Sequence, residues 1–233
     1  SDISHNKPHL PSSAWPKPHR KNVGAFSSTI SSISSVTSCT TSWTSSTTSS
    51  TVSETSFVSP EIDLSLYINK PIIEPELCFE INGDIKDIGV HYDSSNITKH
   101  IKSIFPVIEI VDARYEKGWD IKALETISDN GVHCCLIKGN PIVDWQSYDR
   151  LNSEVNLYIN DKFVCGGRGS NVLNDPVNSI SWLANKLIER GKYIKSGDII
   201  TTGNTCDKPI FAERNTHIKA LFDGLGEVEM SFS

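Results

Sequence analysis

Glu74 and Glu76 stand two residues apart in the run EPELCFEING, and Glu109 interrupts the apolar run FPVIEIVDAR. If both runs are extended, alternate side chains share a face. Glu74, Glu76, Cys78 and Glu80 then point one way, and Pro75, Leu77, Phe79 and Ile81 the other. Carboxylates crowded on one face repel, and they need a cation, a proton or water between them. Glu109 sharpens the point, because an unpaired carboxylate in an apolar strand is costly. A hard divalent cation would satisfy all three. Mg²⁺ takes oxygen ligands in octahedral geometry and keeps waters that a substrate can replace. The competing explanation is solvent on a half-exposed sheet, and Glu80 is read that way.

The elements that must position these acids follow from pattern and punctuation. LCFEING reads as a strand with an Asn-Gly turn, and SSNITKHIKS as a short helix with a Ser cap. FPVIEIVDAR is a buried strand, DIKALETISDNG a short helix with a loop, and HCCLIKG another strand. EVNLYINDKFVCGG alternates and turns at Asn160-Asp161, which makes it a hairpin. DPVNSISWLANKLIERG is the clearest helix. Asp175 caps it, Pro176 takes its first position and Gly191 ends it. Its apolar face is Val177, Ile180, Ala184, Leu187 and Ile188. GDIITTG and IKALFDGLGEVEMSF close the chain as strands. Strands outnumber helices without alternating strictly with them. The expected fold is therefore α+β, mixed and β-rich, and not a doubly wound sheet.

The 233 residues suit one domain with a tail. Residues 1–60 do not read as a folded unit. They run from a Pro-, His- and Lys-rich opening into a tract made mostly of Ser and Thr. Such composition buries too little apolar surface to offset the ordering entropy. Between Asp2 and Glu54 there is no acidic residue, which is also how an organelle transit segment looks. A disordered tail and non-coding sequence read through are the alternatives. The chain does not start with Met, which suggests processing or incompleteness. The folded domain is expected over 61–233.

A net charge of −6 argues against nucleic acid or an anionic membrane as the main partner. No apolar run approaches a membrane span. The expected location is cytoplasmic, with organellar import as the alternative that the first 60 residues leave open. The six cysteines contain no C-x-x-C spacing, so a zinc site is not expected. They read as buried thiols in a reducing compartment.

Taken in order, IDLSLYINKPIIEPELCFEI, FPVIEIVDAR, IKALETISDNG, GGRGSNVLNDPVNSISWLANKL and IKSGDIITTG resemble the hydratase/decarboxylase branch of the fumarylacetoacetate hydrolase superfamily. The resemblance covers about residues 61–233. It implies a mixed β-roll with flanking helices, and Glu74, Glu76 and Glu109 as ligands of Mg²⁺ or Mn²⁺. It also implies a small-molecule 2-oxo acid as substrate and homo-oligomeric assembly. Hydration of a 2-hydroxy-2,4-dienoate to a 4-hydroxy-2-oxo acid is the expected reaction. Decarboxylation of a 4-oxalocrotonate-like diacid, or a non-catalytic role, is the alternative. Asp129 and Asn130 match the family's Asp-Asn loop, and Thr202 and Gly203 match a segment bordering its pocket. These four are candidate substrate contacts. Ordinary turn chemistry explains SDNG equally well. Arg114 could hold a substrate carboxylate, but an ion pair with Asp112 or Asp129 is favoured. The chain departs from the pattern in three places. The family's upstream segment with an active-site lysine has no clear counterpart, and Lys21, its nearest echo, is not assigned that role. Ile72 stands where a basic residue is usual, and Val132 where a Ser is common.

Overall fold

The computed structural model describes residues 60–233. The tail expected over residues 1–60, Lys21 included, falls almost wholly outside the described residues. In chain order the strands and helices are β1 (Glu61–Ile62), β2 (Ile72–Ile81), α1 (Ser94–Ile97), β3 (Ile101–Val111), α2 (Ala123–Ser128) and β4 (His133–Lys138). They continue with β5 (Glu154–Ile159), β6 (Lys162–Arg168), α3 (Val177–Ile188), β7 (Ile199–Asn204), β8 (Ile210–Phe211), β9 (Thr216–Phe222) and β10 (Gly226–Phe232).

The strands form two sheets. One runs β1-β10-β9-β5-β6, the other β4-β3-β2-β7, with β8 alongside β2. The β1–β10 pair is parallel and the remaining ladders are antiparallel. This is the mixed, β-rich α+β architecture expected from the pattern. The apolar alternation explains how the layers meet. Ile73, Leu77, Phe79, Ile104, Ile108 and Ile110 face Leu157, Ile218, Ala220, Phe222, Met230 and Phe232 of the other sheet in one continuous core. Val177, Ile180 and Ala184 of α3 close that core.

Local details follow residue chemistry. The β5–β6 hairpin turns through Asn160 and Asp161, both at positive φ, which these two residues tolerate best among non-glycines. Asp175 Oδ1 accepts the Val177 N–H at 3.1 Å at the start of α3. Gly191, at φ +68, ends that helix, and Lys192 N–H bonds back to Leu187 C=O at 2.8 Å. The expected turn follows β2 at Gly83, at φ +82. Two expectations change. The cap of α1 is Asp93, whose Oδ1 accepts from Ser95 and Asn96 N–H, and not a serine. Cys165 and Cys206 are joined as a disulfide with Cα atoms 6.1 Å apart. Cys165 lies on β6 and Cys206 just past β7, 41 residues on. Their meeting depends on the Gly167–Cys206 bridge between distant segments, which spacing in the chain does not show.

Candidate metal centre

β2 is the central element. Its neighbours are β3 on one edge and, on the other, β8 at Ile72–Ile73 and β7 from Glu76 onward. Pro75 sits where that second edge changes partner. It has no N–H to offer, and its carbonyl is taken by Thr205 N–H at 3.0 Å and Thr205 Oγ1–H at 2.7 Å. A central-strand proline is thus accommodated at a break in the ladder.

The β2–β3 register places Glu74 directly opposite Glu109 and Glu76 opposite Val107. All three acids therefore share one face. Ligand oxygens of Glu74, Glu76 and Glu109 lie within 4.8 Å of one another. Solvent does not account for this: Glu76 is only 2% exposed. Burial, then the Glu109 charge, push the Glu74 carboxyl up to about 7, against a hydrogen bond from Asn204. Burial, then Glu109, also drive Glu76 well above the ordinary glutamate range, and the Gly203 N–H only partly opposes them. Two carboxylic acids that resist ionising beside a third make a site short of positive charge. The donor set is all oxygen, which suits a hard cation such as Mg²⁺ or Mn²⁺. Glu80 stands apart, bonded to Lys102 Nζ at 2.8 Å and Ser103 Oγ at 3.0 Å.

Neighbouring elements aim further groups at the acids. The β2–β7 ladder is irregular between Glu76 and Cys78, which leaves the Gly203 N–H to donate to Glu76 Oε2 at 2.8 Å. Asn204 pairs with Glu76 in the ladder while its side chain reaches Glu74. From β4, His133 Nδ1 lies 2.5 Å from Glu109 Oε1. Gly203 thus reaches a carboxylate through its backbone. Thr202 is turned to the frame, its hydroxyl donating to Leu77 C=O at 2.9 Å. Asp129 closes α2 and binds Arg114, whose Nε lies 2.6 Å from Oδ1. Arg114 also donates to the carbonyls of Asp129 and His133. The expected ion pair is present, and of the two candidate acids it is Asp129 that Arg114 binds. Asn130, at φ +55, sits in the turn that delivers His133 to Glu109. His133 and Asn204 were not legible as site residues. The adjacency of β3, β4 and β7 to β2 is what recruits them, and no local motif announces it.

A family model described as fumarylacetoacetate (FAA) hydrolase C-terminal matches residues 19–233, a longer span than the blocks over 61–233. The chain is 27% identical over 164 residues to 2-keto-4-pentenoate hydratase 1 of Dechloromonas aromatica (strain RCB), covering 70% of this chain and 61% of that protein. It is 28% identical over 171 residues to 4-oxalocrotonate decarboxylase of Pseudomonas putida, covering 73% and 63%. Among solved structures, it superposes on 4-oxalocrotonate decarboxylase from Pseudomonas putida G7, complexed with magnesium and adipate. The TM-score is 0.69 at 27% identity, over 75% of this chain and 65% of that one. The chain spans about three-fifths of the length of these two curated relatives.

Proposed function

The chain belongs to the fumarylacetoacetate hydrolase family, and from that premise we propose that it is a divalent-metal-dependent lyase acting on a 2-oxo acid. The reaction is hydration of a 2-hydroxy-2,4-dienoate to a 4-hydroxy-2-oxo acid. One observation carries the reading: the convergence of Glu74, Glu76 and Glu109 within 4.8 Å, with Glu76 buried. The named activities of the similar hydratase and decarboxylase support the reaction class.

In this reading Glu74, Glu76 and Glu109 hold Mg²⁺ or Mn²⁺. When bound, the cation supplies Lewis acidity toward the charge that develops on a 2-oxo acid. The Gly203 N–H fixes the rotamer of Glu76, and the Asn204 side chain does the same for Glu74. Where the neutral His133 ring carries its proton on Nδ1, it donates to Glu109 Oε1, and Nε2 is then the acceptor of that ring. Arg114 and Asp129 tie the end of β3 to the loop before β4, and so hold His133 at this distance.

An ultraviolet assay with 2-hydroxypenta-2,4-dienoate, with Mg²⁺ and with chelator, tests the proposal. Metal-dependent loss of the dienoate absorbance is expected. Turnover of 4-oxalocrotonate with release of CO₂ and none of the dienoate would replace hydration by decarboxylation. Metal-loaded, folded protein that turns over neither is a non-catalytic member, and the proposal fails.

A further inference from the structure

The face of the sheet that carries the three acids continues past them. Glu76 pairs with Val107, and Val107 with Lys138, so one row crosses β2, β3 and β4. At ordinary strand spacing the Cα atoms of Glu76 and Lys138 are about 10 Å apart. The next pair along, Cys78 with Phe105, lies on the same face. Cys78, Phe105 and Val107 form a small apolar cluster of their own, flanked by Leu136 and Ile199. Beside it is a hollow of about 180 Å³ lined by Glu80, Phe105, Lys138 and Ile199 among others. The Lys138 ammonium stands 5.7 Å from the centre of the Phe105 ring.

The charges in this hollow are unequally matched. Glu80 is engaged by Lys102 and Ser103. Lys138 makes no ion pair among the described residues. With Lys102 and Glu80 offsetting each other, one positive charge remains at the edge of an apolar surface. It lies in the same cross-strand row as Glu76, two strands away.

We propose that Lys138, standing over Phe105, forms a subsite for a second, distal carboxylate, so that the preferred ligand is a 2-oxo diacid and not a monoacid. This rests on the proposed metal site at Glu74, Glu76 and Glu109, which takes the 2-oxo end. The apolar cluster accommodates the hydrocarbon between the two ends, and the ammonium meets the far carboxylate. Lysine offers a point charge on a flexible stem, so arginine should keep the preference and a neutral residue of similar length should not.

The test uses two saturated probes of equal carbon length that the proposed hydration cannot consume, 2-oxoadipate and 2-oxohexanoate. Their binding to the Mg²⁺-loaded full chain is measured by calorimetry for the parent, Lys138→Met and Lys138→Arg. The parent should bind the diacid about five- to tenfold more tightly, the range of one exposed charge-assisted contact. Lys138→Met should bring the ratio close to one, and Lys138→Arg should hold it near the parent value. Equal binding of both probes by the parent, or a diacid preference that survives Lys138→Met, overturns the subsite while the metal reading stands. If Mg²⁺ stabilises the parent and neither probe binds, the 2-oxo acid reading and the subsite both fail.

Discussion

Glu74 and Glu109 are direct cross-strand partners at the centre of a sheet, a position in which like charges destabilise the pairing. Glu76 joins them from the next outward-facing position of β2. A sheet that gathers three acids this way gains from any cation that binds the folded arrangement and not the unfolded chain. At 100 times its dissociation constant, such an ion adds about 2.7 kcal/mol of stability. Mg²⁺ is therefore expected to raise the melting temperature. Glu76→Gln should remove most of that rise. Glu80→Gln should retain it, because Glu80 is engaged by Lys102 and Ser103 instead. Parallel Mg²⁺ responses in both variants and the parent would sink the metal assignment.

Without metal, pH should act on the same acids in a fixed direction. Glu74 is raised from 4.5 to about 7 by burial and by Glu109. Between those values the folded state keeps a proton that the unfolded chain releases. Stability from this group is thus highest at low pH and falls as pH rises toward 7, by on the order of 3 kcal/mol. Urea denaturation in chelator from pH 4.5 to 8 should show a shallower decline for Glu74→Gln than for the parent. Saturating Mg²⁺ should flatten the parent's curve, since the cation takes the proton's place. Identical pH slopes for parent and variant in chelator would contradict the burial argument.

The sequence exposed the parts of this arrangement that depend on local pattern. Period-two alternation put Glu74 and Glu76 on one face, and the Asn160-Asp161 turn and Gly191 marked a hairpin and a helix end. Glu109 stood out because charge in an apolar strand is rare. What stayed hidden depends on which strands become neighbours. His133 opens a strand as any polar residue could, and only the β3–β4 ladder carries it to Glu109. Asn204 and the Gly203 N–H matter because β7 lies along β2 with an irregular register. The Cys165–Cys206 pair likewise needs two remote segments to meet. Periodicity reports a side chain's face, and it carries no information about the partner across that face.

Arg114 and Asp129 offer a test of how the loop before β4 is held. The guanidinium bridges the end of β3 to the Asp129 carboxylate and to the Asp129 and His133 carbonyls. Arg114→Met removes these bonds at once and leaves the largely buried Asp129 carboxylate with one remaining donor among the described residues, the Arg114 backbone N–H. A loss of about 1–3 kcal/mol is expected in denaturant unfolding. Because His133 is displaced with the loop, Mg²⁺ affinity should weaken as well. Stability that falls while Mg²⁺ affinity stays at the parent value would confine this pair to the frame.

Gly203 is the position where backbone geometry and the acids meet most directly. Its φ is +123, a conformation that side chains with a Cβ rarely adopt, and its N–H is 2.8 Å from Glu76 Oε2. An added Cβ would lie 3.4 Å from Val172 Cγ1, so space is less limiting than the dihedral. Gly203→Ala must either carry about 1–3 kcal/mol of strain or relax φ and turn the N–H away from Glu76. Relaxation would free the Glu76 rotamer and push its carboxyl further toward the neutral form, since the opposing hydrogen bond is lost. Both effects weaken a cation's hold. Gly191→Ala is the control: Gly191 is also at positive φ, +68, but it ends α3. Both variants should lose thermal stability, and only Gly203→Ala should shift the Mg²⁺ titration midpoint to higher concentration, by several-fold. A midpoint unchanged in Gly203→Ala would mean that the amide supports the strand and not the carboxylate.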